Sequence, residues 1–389
     1  MNFVYRIIAK FIIGRATYNF KGNLTIIFPN KEKYTIGTKK SKYYFKIINN
    51  FIFIRVILQG ISGISYAYSK GEWTTNNLSH IIKLGIINKN SIKSLKINES
   101  FLTRFKKIFY TNNNTVSKSK KQISFHYDLG NNFYKYWLDK SMTYSSGIFG
   151  NKNLTLENAQ TNKYQSLVKL AEINKDNSVL EIGCGWGGFA NYVSENIGSK
   201  ITGITISKNQ YNYANSIRKK NVIIKLLDYR KINKVYDKII SIEMFEAVGK
   251  KNWNNFFKIL DQSLKSKGLA ALQIITINEK LYDSYEKNKD FIQKYIFPGG
   301  MLPTKNIIYT LADNNNLYVC KEKSLSTDYA KTLYIWRRNF LSKWNRIEKM
   351  GFKNDFKRLW EYYLIYCEEG FKAGTINVHQ FLLKKINDQ

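Results

Sequence analysis

The chain is poor in the residues that staple proteins together or hold metals. Its 389 residues include three cysteines and three histidines. Cys184, Cys320 and Cys367 form no C-x-x-C pair and no disulfide framework, which suits a reducing compartment. His80, His126 and His379 are scattered, so no zinc-ligand spacing is present. Long apolar runs are also missing. Those near residues 3–13 and 51–64 are interrupted by Arg6 and Lys10 and by Arg55. Both fall short of the ~18 apolar residues that a membrane span needs, and the first lacks a small-residue cleavage site. These absences predict a cytoplasmic protein that meets a membrane only from its surface. Acidic residues are scarce, 28 against 62 Lys+Arg, for a formal net charge of +34. A field of that sign favours an anionic partner, although a composition crowded with Lys, Asn and Ile is also what an AT-rich coding sequence produces. The basic residues are spread along the chain and form no nucleic-acid reading motif, so nucleic acid is not an expected partner.

What is present suffices for a full core: 44% of residues are hydrophobic, and the length suits two domains. Residues 1–110 read as a small α+β domain opening with a hairpin over 22–29 and 33–37. Near its end Phe101, Leu102, Phe105, Ile108 and Phe109 recur at helical spacing with Arg104, Lys106 and Lys107 between them. That pattern fits a basic amphipathic helix on a membrane surface, and equally a helix docked on a neighbouring domain. Residues 111–120 read as a polar, basic linker. Over 121–389, apolar strands are expected at 178–182, 200–204, 222–227, 236–242 and 269–276, with helices between them. This predicts an α/β doubly wound, Rossmann-like parallel sheet covered on both faces. Ligands of such sheets bind beyond the carboxyl ends of the strands, where residues 181–187, 205–210, 228–229 and 243–249 all fall. The insertion around Pro298-Gly-Gly300 and the aromatic-rich tail are expected to form a lid.

The most informative stretch is Val179-Leu-Glu-Ile-Gly-Cys-Gly-Trp-Gly-Gly188. Glycines this dense after a strand let the backbone turn sharply and approach a ligand, and the helix start beyond them offers free N–H groups. Gly183, Gly185 and Gly188 also fit the dinucleotide spacing, which alone is a weak signal. A nicotinamide cofactor would want a carboxylate at the end of the next strand, and the chain there runs Thr205-Ile-Ser-Lys-Asn-Gln210 without one. Glu181, two residues before the first glycine, instead suits a cationic amino group. The balance favours S-adenosylmethionine (SAM), held by Glu181, Gly183, Cys184, Gly185 and Gly187.

Beyond this motif the chain resembles the cyclopropane-fatty-acyl-phospholipid synthases and mycolic acid cyclopropane synthases, a family of SAM-dependent methyltransferases. The resemblance is carried in order by His126-Tyr-Asp-Leu-Gly-Asn-Asn-Phe-Tyr134, Met142-Thr-Tyr-Ser-Ser146, the glycine motif and Ile204-Thr-Ile-Ser-Lys-Asn-Gln210. Ser241-Ile-Glu-Met-Phe-Glu-Ala-Val-Gly249, Tyr295-Ile-Phe-Pro-Gly-Gly-Met-Leu-Pro303, Asp328-Tyr-Ala-Lys-Thr-Leu-Tyr-Ile-Trp336 and Trp360-Glu-Tyr-Tyr-Leu-Ile-Tyr-Cys367 continue it. It implies a phospholipid acyl chain as substrate. The methyl of SAM would go to a cis double bond, and the resulting carbocation would lose a proton and close to a cyclopropane, with bicarbonate in the pocket taking the proton. A lipid methyltransferase that leaves a methyl or methylene branch, or a small-molecule amine methyltransferase, would share much of this motif set. A homodimer is among the assemblies the resemblance allows.

The resemblance also implies residue roles. Tyr144 and Ser145 would reach the SAM carboxylate. Thr205, Ser207 and Gln210 would bind its ribose or methionine end, although Ser207-x-x-Gln210 is also a capping box. Asp228 and Tyr229 would hold the adenine. In the reaction pocket the expected residues are Glu246, Tyr329, Ser146, Gln273, Ile275 and Cys367. Glu246, set among apolar neighbours, is the favoured carboxylate, with Glu243 as its competitor for a capping or solvent-facing role. Ring-forming members carry cysteine where this chain has Ser146 and histidine where it has Gln273. Serine and glutamine can hydrogen-bond an anion, but neither supplies the titratable base that histidine would. Cys367 matches a cysteine that resembles a catalytic one, yet a carbocation would alkylate a thiol, and a small buried apolar role fits it as well.

Overall fold

The computed structural model describes residues 20–37, 41–89, 129–150 and 153–386. The proposed amphipathic helix at 101–109, the linker at 111–120 and the His126 motif up to residue 128 lie outside them. The chain separates into two compact units, one of Met1–Tyr127 with Leu341–Ala373, the other of Asp128–Phe340 with Gly374–Gln389.

In the first unit the expected hairpin is present: β1 (Leu24–Ile27) pairs antiparallel with β2 (Lys33–Ile36). β3 (Tyr44–Ile47) runs parallel to β1 and antiparallel to the two-residue β4 (Trp73–Thr74). The apolar run 51–64 is two helices, Phe51–Gln59 and Ile61–Ser69, broken at Gly60, whose φ of 62° is left-handed. Gly63 lets the two helices meet closely, since a Cβ there would sit 2.3 Å from the Arg55 carbonyl oxygen. The helix Asn354–Lys372 belongs to this unit although it is remote in sequence. Arg358 explains the docking: its guanidinium lies 4.0 Å over the Tyr68 ring and donates to the Tyr68 and Trp73 carbonyls. Ser79 donates to Glu369 at 2.7 Å from the helix Leu78–Ile87. Among the described residues no helix is long and apolar enough to cross a membrane.

The second unit is built on a seven-stranded sheet. Five strands fall where apolar runs predicted them: β5 (Ser178–Ile182), β6 (Lys200–Thr205), β7 (Val222–Leu226), β8 (Tyr236–Ile242) and β9 (Leu264–Ile277). They are mutually parallel. Two further strands, β10 (Leu317–Ser324) and β11 (Ile376–Lys385), complete the order β10-β11-β9-β8-β5-β6-β7, with β11 antiparallel to both neighbours. The tail residues 376–385 therefore serve the sheet rather than a lid. Alternate residues face opposite layers. Leu180, Ile182 and Ile239 join one apolar cluster with Phe256, Phe257 and Leu260, whereas Val179 and Ile240 join another with Phe189 and Val193. The order doubles back at β5, and that switch point sets the glycine motif at the carboxyl end of the sheet.

Candidate active site

β5 ends at Ile182, and the backbone turns through Gly183, Gly185 and Gly187 with φ of 82°, 53° and 85°. The helix Gly188–Asn196 starts immediately after. A Cβ on Gly183 would strike the Met244 side chain at 2.6 Å, so this glycine secures close packing. A Cβ on Gly185 would meet nothing within 4 Å and point into open space. Trp186 is fixed by donating to Asn131 at 2.8 Å, which ties the helix Gly130–Lys135 to the loop.

Glu181 is buried, and its Oε2 has no hydrogen-bond partner among the described residues. Burial raises its pKa to about 8, offset in part by the Lys163 charge and the Ala190 backbone. A buried carboxylate oxygen with no partner among the described residues fits the ammonium of SAM. Other residues expected of the cofactor shell lie at the strand ends. Gln210 and Thr205 meet side chain to side chain at 2.9 Å, and Ser207 caps the helix Lys208–Ile217 by accepting from the Gln210 N–H. Asp228 is less free than its sequence position suggests: Arg230 donates to both of its oxygens, at 2.9 and 2.6 Å, and holds its pKa down. Tyr229 packs edge-on against Phe256, with centroids 5.4 Å apart. Cys184 is buried, and its thiol is pushed far up by burial.

The Tyr144 ring sits in an aromatic cage, with centroids 5.4 Å from Tyr134, 5.5 Å from Trp137 and 5.3 Å from Trp336. Its loop is held by the helix Ser326–Ser342: Asp328 accepts from the Phe149 and Gly150 N–H groups, and Thr332 accepts from Gly147 N–H. Ser145 meets a residue that the sequence did not single out. Lys163 has no solvent exposure, and its Nζ donates to Ser145 Oγ at 2.6 Å and Gln160 Oε1 at 2.7 Å. Burial lowers its pKa to about 8, against the attraction of Glu243, Asp139 and Glu181. Its only sequence signal is that Gln160, Lys163, Tyr164 and Leu167 share one helix face.

Of the expected reaction-pocket residues, Ser146, Gln273 and Tyr329 come together around Glu243, and Ile275 meets Glu246. Glu243 Oε1 accepts from the Ser146 N–H at 2.9 Å and Gln273 Nε2 at 2.8 Å, and Oε2 accepts from Tyr329 OH at 2.6 Å. Gln273 in turn accepts from Gln380, which lies opposite it across β9 and β11, at 2.9 Å. Burial raises the Glu243 pKa, and its three donors and Lys163 oppose that rise. Glu246 accepts from the Ile275 N–H at 2.5 Å, and its Oε2 has no partner among the described residues. Burial, with Glu243 beside it, raises its pKa to about 8. The insertion packs here: Met301 N–H donates to the Glu246 carbonyl, and Gln293 donates to the Gly300 carbonyl. Cys367 lies on the helix Asn354–Lys372 of the first unit. Donors that would cradle a bicarbonate ion, from Ser146, Gln273 and Tyr329, are committed to a carboxylate of the chain itself, so the pocket does not fit a separate anion there.

The family model described as mycolic acid cyclopropane synthetase matches residues 114–381. A tuberculostearic acid methyltransferase, UfaA1 of Mycobacterium tuberculosis, is 32% identical over 85% of this chain and 80% of its own length. The cyclopropane-fatty-acyl-phospholipid synthase of Escherichia coli K12 is 32% identical over 87% of each chain. The crystal structure of the mycolic acid cyclopropane synthase CmaA1, complexed with SAH and CTAB, superposes with a TM-score of 0.63 at 28% identity. That match covers 68% of this chain and 98% of CmaA1. The chain belongs to the mycolic acid cyclopropane synthetase family. It is a SAM-dependent methyltransferase of the Rossmann-like fold, within a lipid-modifying family.

Proposed function

We propose that this protein transfers the methyl group of SAM to a cis double bond in the acyl chain of an unsaturated phospholipid, and that the product closes to a cyclopropane. The observation that carries the reading is the set of three carboxylates in the pocket. Glu181 is buried, Glu243 and Glu246 are half-buried residues whose carboxylates are withdrawn from water, and among the described residues Lys163 is a cation that acts on both Glu181 and Glu243. Carboxylates in such a site can ionise against a cationic donor and a cationic transition state, and the Tyr144 cage adds aromatic faces that attract cations. Bound SAM supplies an electrophilic methyl group. Glu181 holds its ammonium, Tyr144 and Ser145 its carboxylate end, Thr205 and Gln210 its ribose end, and Tyr229 with the remaining lone pair of Asp228 its adenine.

The substrate stays at the membrane, and the +34 net charge supports docking on an anionic surface. A second reading, a methyl or methylene branch without a ring, is favoured by Ser146 and Gln273 standing where ring-forming members carry cysteine and histidine, and by the likeness to a tuberculostearic acid methyltransferase. Incubation with methyl-labelled SAM and vesicles tests the proposal. Label should enter vesicles of unsaturated phospholipid and not vesicles of saturated phospholipid. Equal labelling of both, or labelling of soluble amines alone, would contradict it.

A further inference from the structure

Resting on the lipid-methylation reading, we propose that Glu243 is the built-in proton acceptor of the reaction, taking the place of any dissolved anion. Three facts about its carboxylate point there. It is organised by three donors on three different elements: the loop at Ser146, strand β9 at Gln273 and the helix Ser326–Ser342 at Tyr329. Such donors favour the ionised form and fix the group in one place. Two of them sit on Oε1 and one on Oε2. A carboxylate offers about four acceptor sites, so one lone pair on Oε2 is left. The backbone also departs from its preferences to put the group there. Glu243 has φ of 51°, a left-handed conformation that side chains other than glycine, asparagine and aspartate seldom adopt. Strain of this kind persists where surrounding contacts over-determine it, and it clusters at functional sites.

The groups around it complete the picture. Glu246 lies close enough for the Glu243 charge to raise its pKa, and beyond the Ile275 N–H on Oε1 it has no donor on Oε2 among the described residues. The two carboxylates are thus unequally supplied, with three donors on Glu243 and one on Glu246. Lys163 supplies the compensating positive charge.

In the step itself, a C–H bond of the newly added methyl group breaks. Its electron pair forms the bond from that carbon to the neighbouring cationic carbon of the acyl chain, which closes the ring. The proton passes to the open lone pair of Glu243 Oε2 and leaves to solvent once product departs. No oxidant, reductant or external base is consumed.

The test compares wild type, Glu243→Gln and Glu243→Gly in carbonate-free buffer and in buffer with added bicarbonate or formate. Wild-type turnover should be the same in all buffers. Glu243→Gln keeps the hydrogen-bonding shape without the basic oxygen, and should lose at least ~100-fold in turnover while SAM binds as before by calorimetry. Glu243→Gly relieves the backbone strain and empties the position. It should be inactive alone, bind formate in a calorimeter where wild type does not, and regain turnover with formate or bicarbonate. A wild-type rate that collapses without bicarbonate would overturn the proposal. So would a Glu243→Gln enzyme near wild-type rate, or a Glu243→Gly enzyme active without an added anion. If wild type labels no lipid in any buffer, the lipid reading fails instead, and formate binding to Glu243→Gly alone still decides whether Glu243 occupies an anion's place.

Discussion

In the proposed reading Gly185 and Glu181 divide cofactor recognition between shape and charge. With φ of 53° and open space where a Cβ would be, Gly185→Val should abolish SAM binding in a calorimeter while the melting temperature drops only modestly. The β-branched side chain is strained at that φ, by roughly 1–2 kcal/mol, and blocks the ligand. Glu181 makes a prediction with a definite sign. Its pKa in the free protein stands at about 8, above the ordinary carboxylate value, so near neutral pH it is largely protonated. An ammonium bound against it favours the ionised form. SAM binding near neutral pH should therefore release a proton, seen as a dependence of the binding heat on buffer ionisation enthalpy. The release should vanish well above pH 8. The same raised pKa values of Glu181 and Glu246 make the free fold lose stability as pH rises from the ordinary carboxylate range through about 8, because the folded state binds more protons there than the unfolded chain.

At this scale the sequence was partly readable. The glycine turn and Glu181 announce themselves because their neighbours in sequence are their neighbours in space. Lys163 was invisible because a lysine at helical spacing ordinarily faces solvent, and only tertiary packing against Ser145 removes it from water. In sequence Glu246 stands out over Glu243 by its apolar neighbours, and both follow β8 closely. Which of two carboxylates three residues apart collects the donors depends on Ser146, Gln273 and Tyr329, which arrive from elsewhere in the chain.

Among elements, the five parallel strands were legible as short apolar runs; β5 and β8 are buried on both faces, whereas β7 at the sheet edge exposes Ile223 and Leu226. β10 was not: Leu-Tyr-Val-Cys-Lys-Glu-Lys-Ser is mostly half-buried, as befits an edge strand. β11 is apolar, but nothing local says that it inserts antiparallel between β9 and β10. That insertion matters to the site, since it brings Gln380 against Gln273. The helix Trp253–Ser263 carries the sheet's packing on one side, with Phe256, Phe257 and Leu260 fully buried. Phe256→Ala should cost about 3–5 kcal/mol of stability in a denaturant titration, and by releasing Tyr229 it should also weaken SAM binding.

For the whole molecule, the proposed docking on a lipid surface rests on the excess of basic residues. Exposed charges act over about 10 Å at 0.1 M salt and much less at higher salt. The protein should co-sediment with vesicles containing anionic phospholipid at low ionic strength and be released as salt is raised, while neutral vesicles should hold it weakly throughout. Binding that is indifferent to salt and to head-group charge would assign membrane contact to apolar surface instead. The net charge was legible from composition alone. The pairing of Asn354–Lys372 with the N-terminal elements was not, since it rests on Arg358 reaching Tyr68 and Trp73 across almost three hundred residues.

The most direct measurement is NMR of phospholipid recovered after incubation of the purified protein with carbon-13 methyl-labelled SAM and a monounsaturated phospholipid. The account predicts that the labelled carbon appears bonded to the two former alkene carbons of the acyl chain, with high-field ring protons, as the alkene signal falls in step. Labelled carbon on the head group, or an untouched alkene alongside consumed SAM, would contradict it.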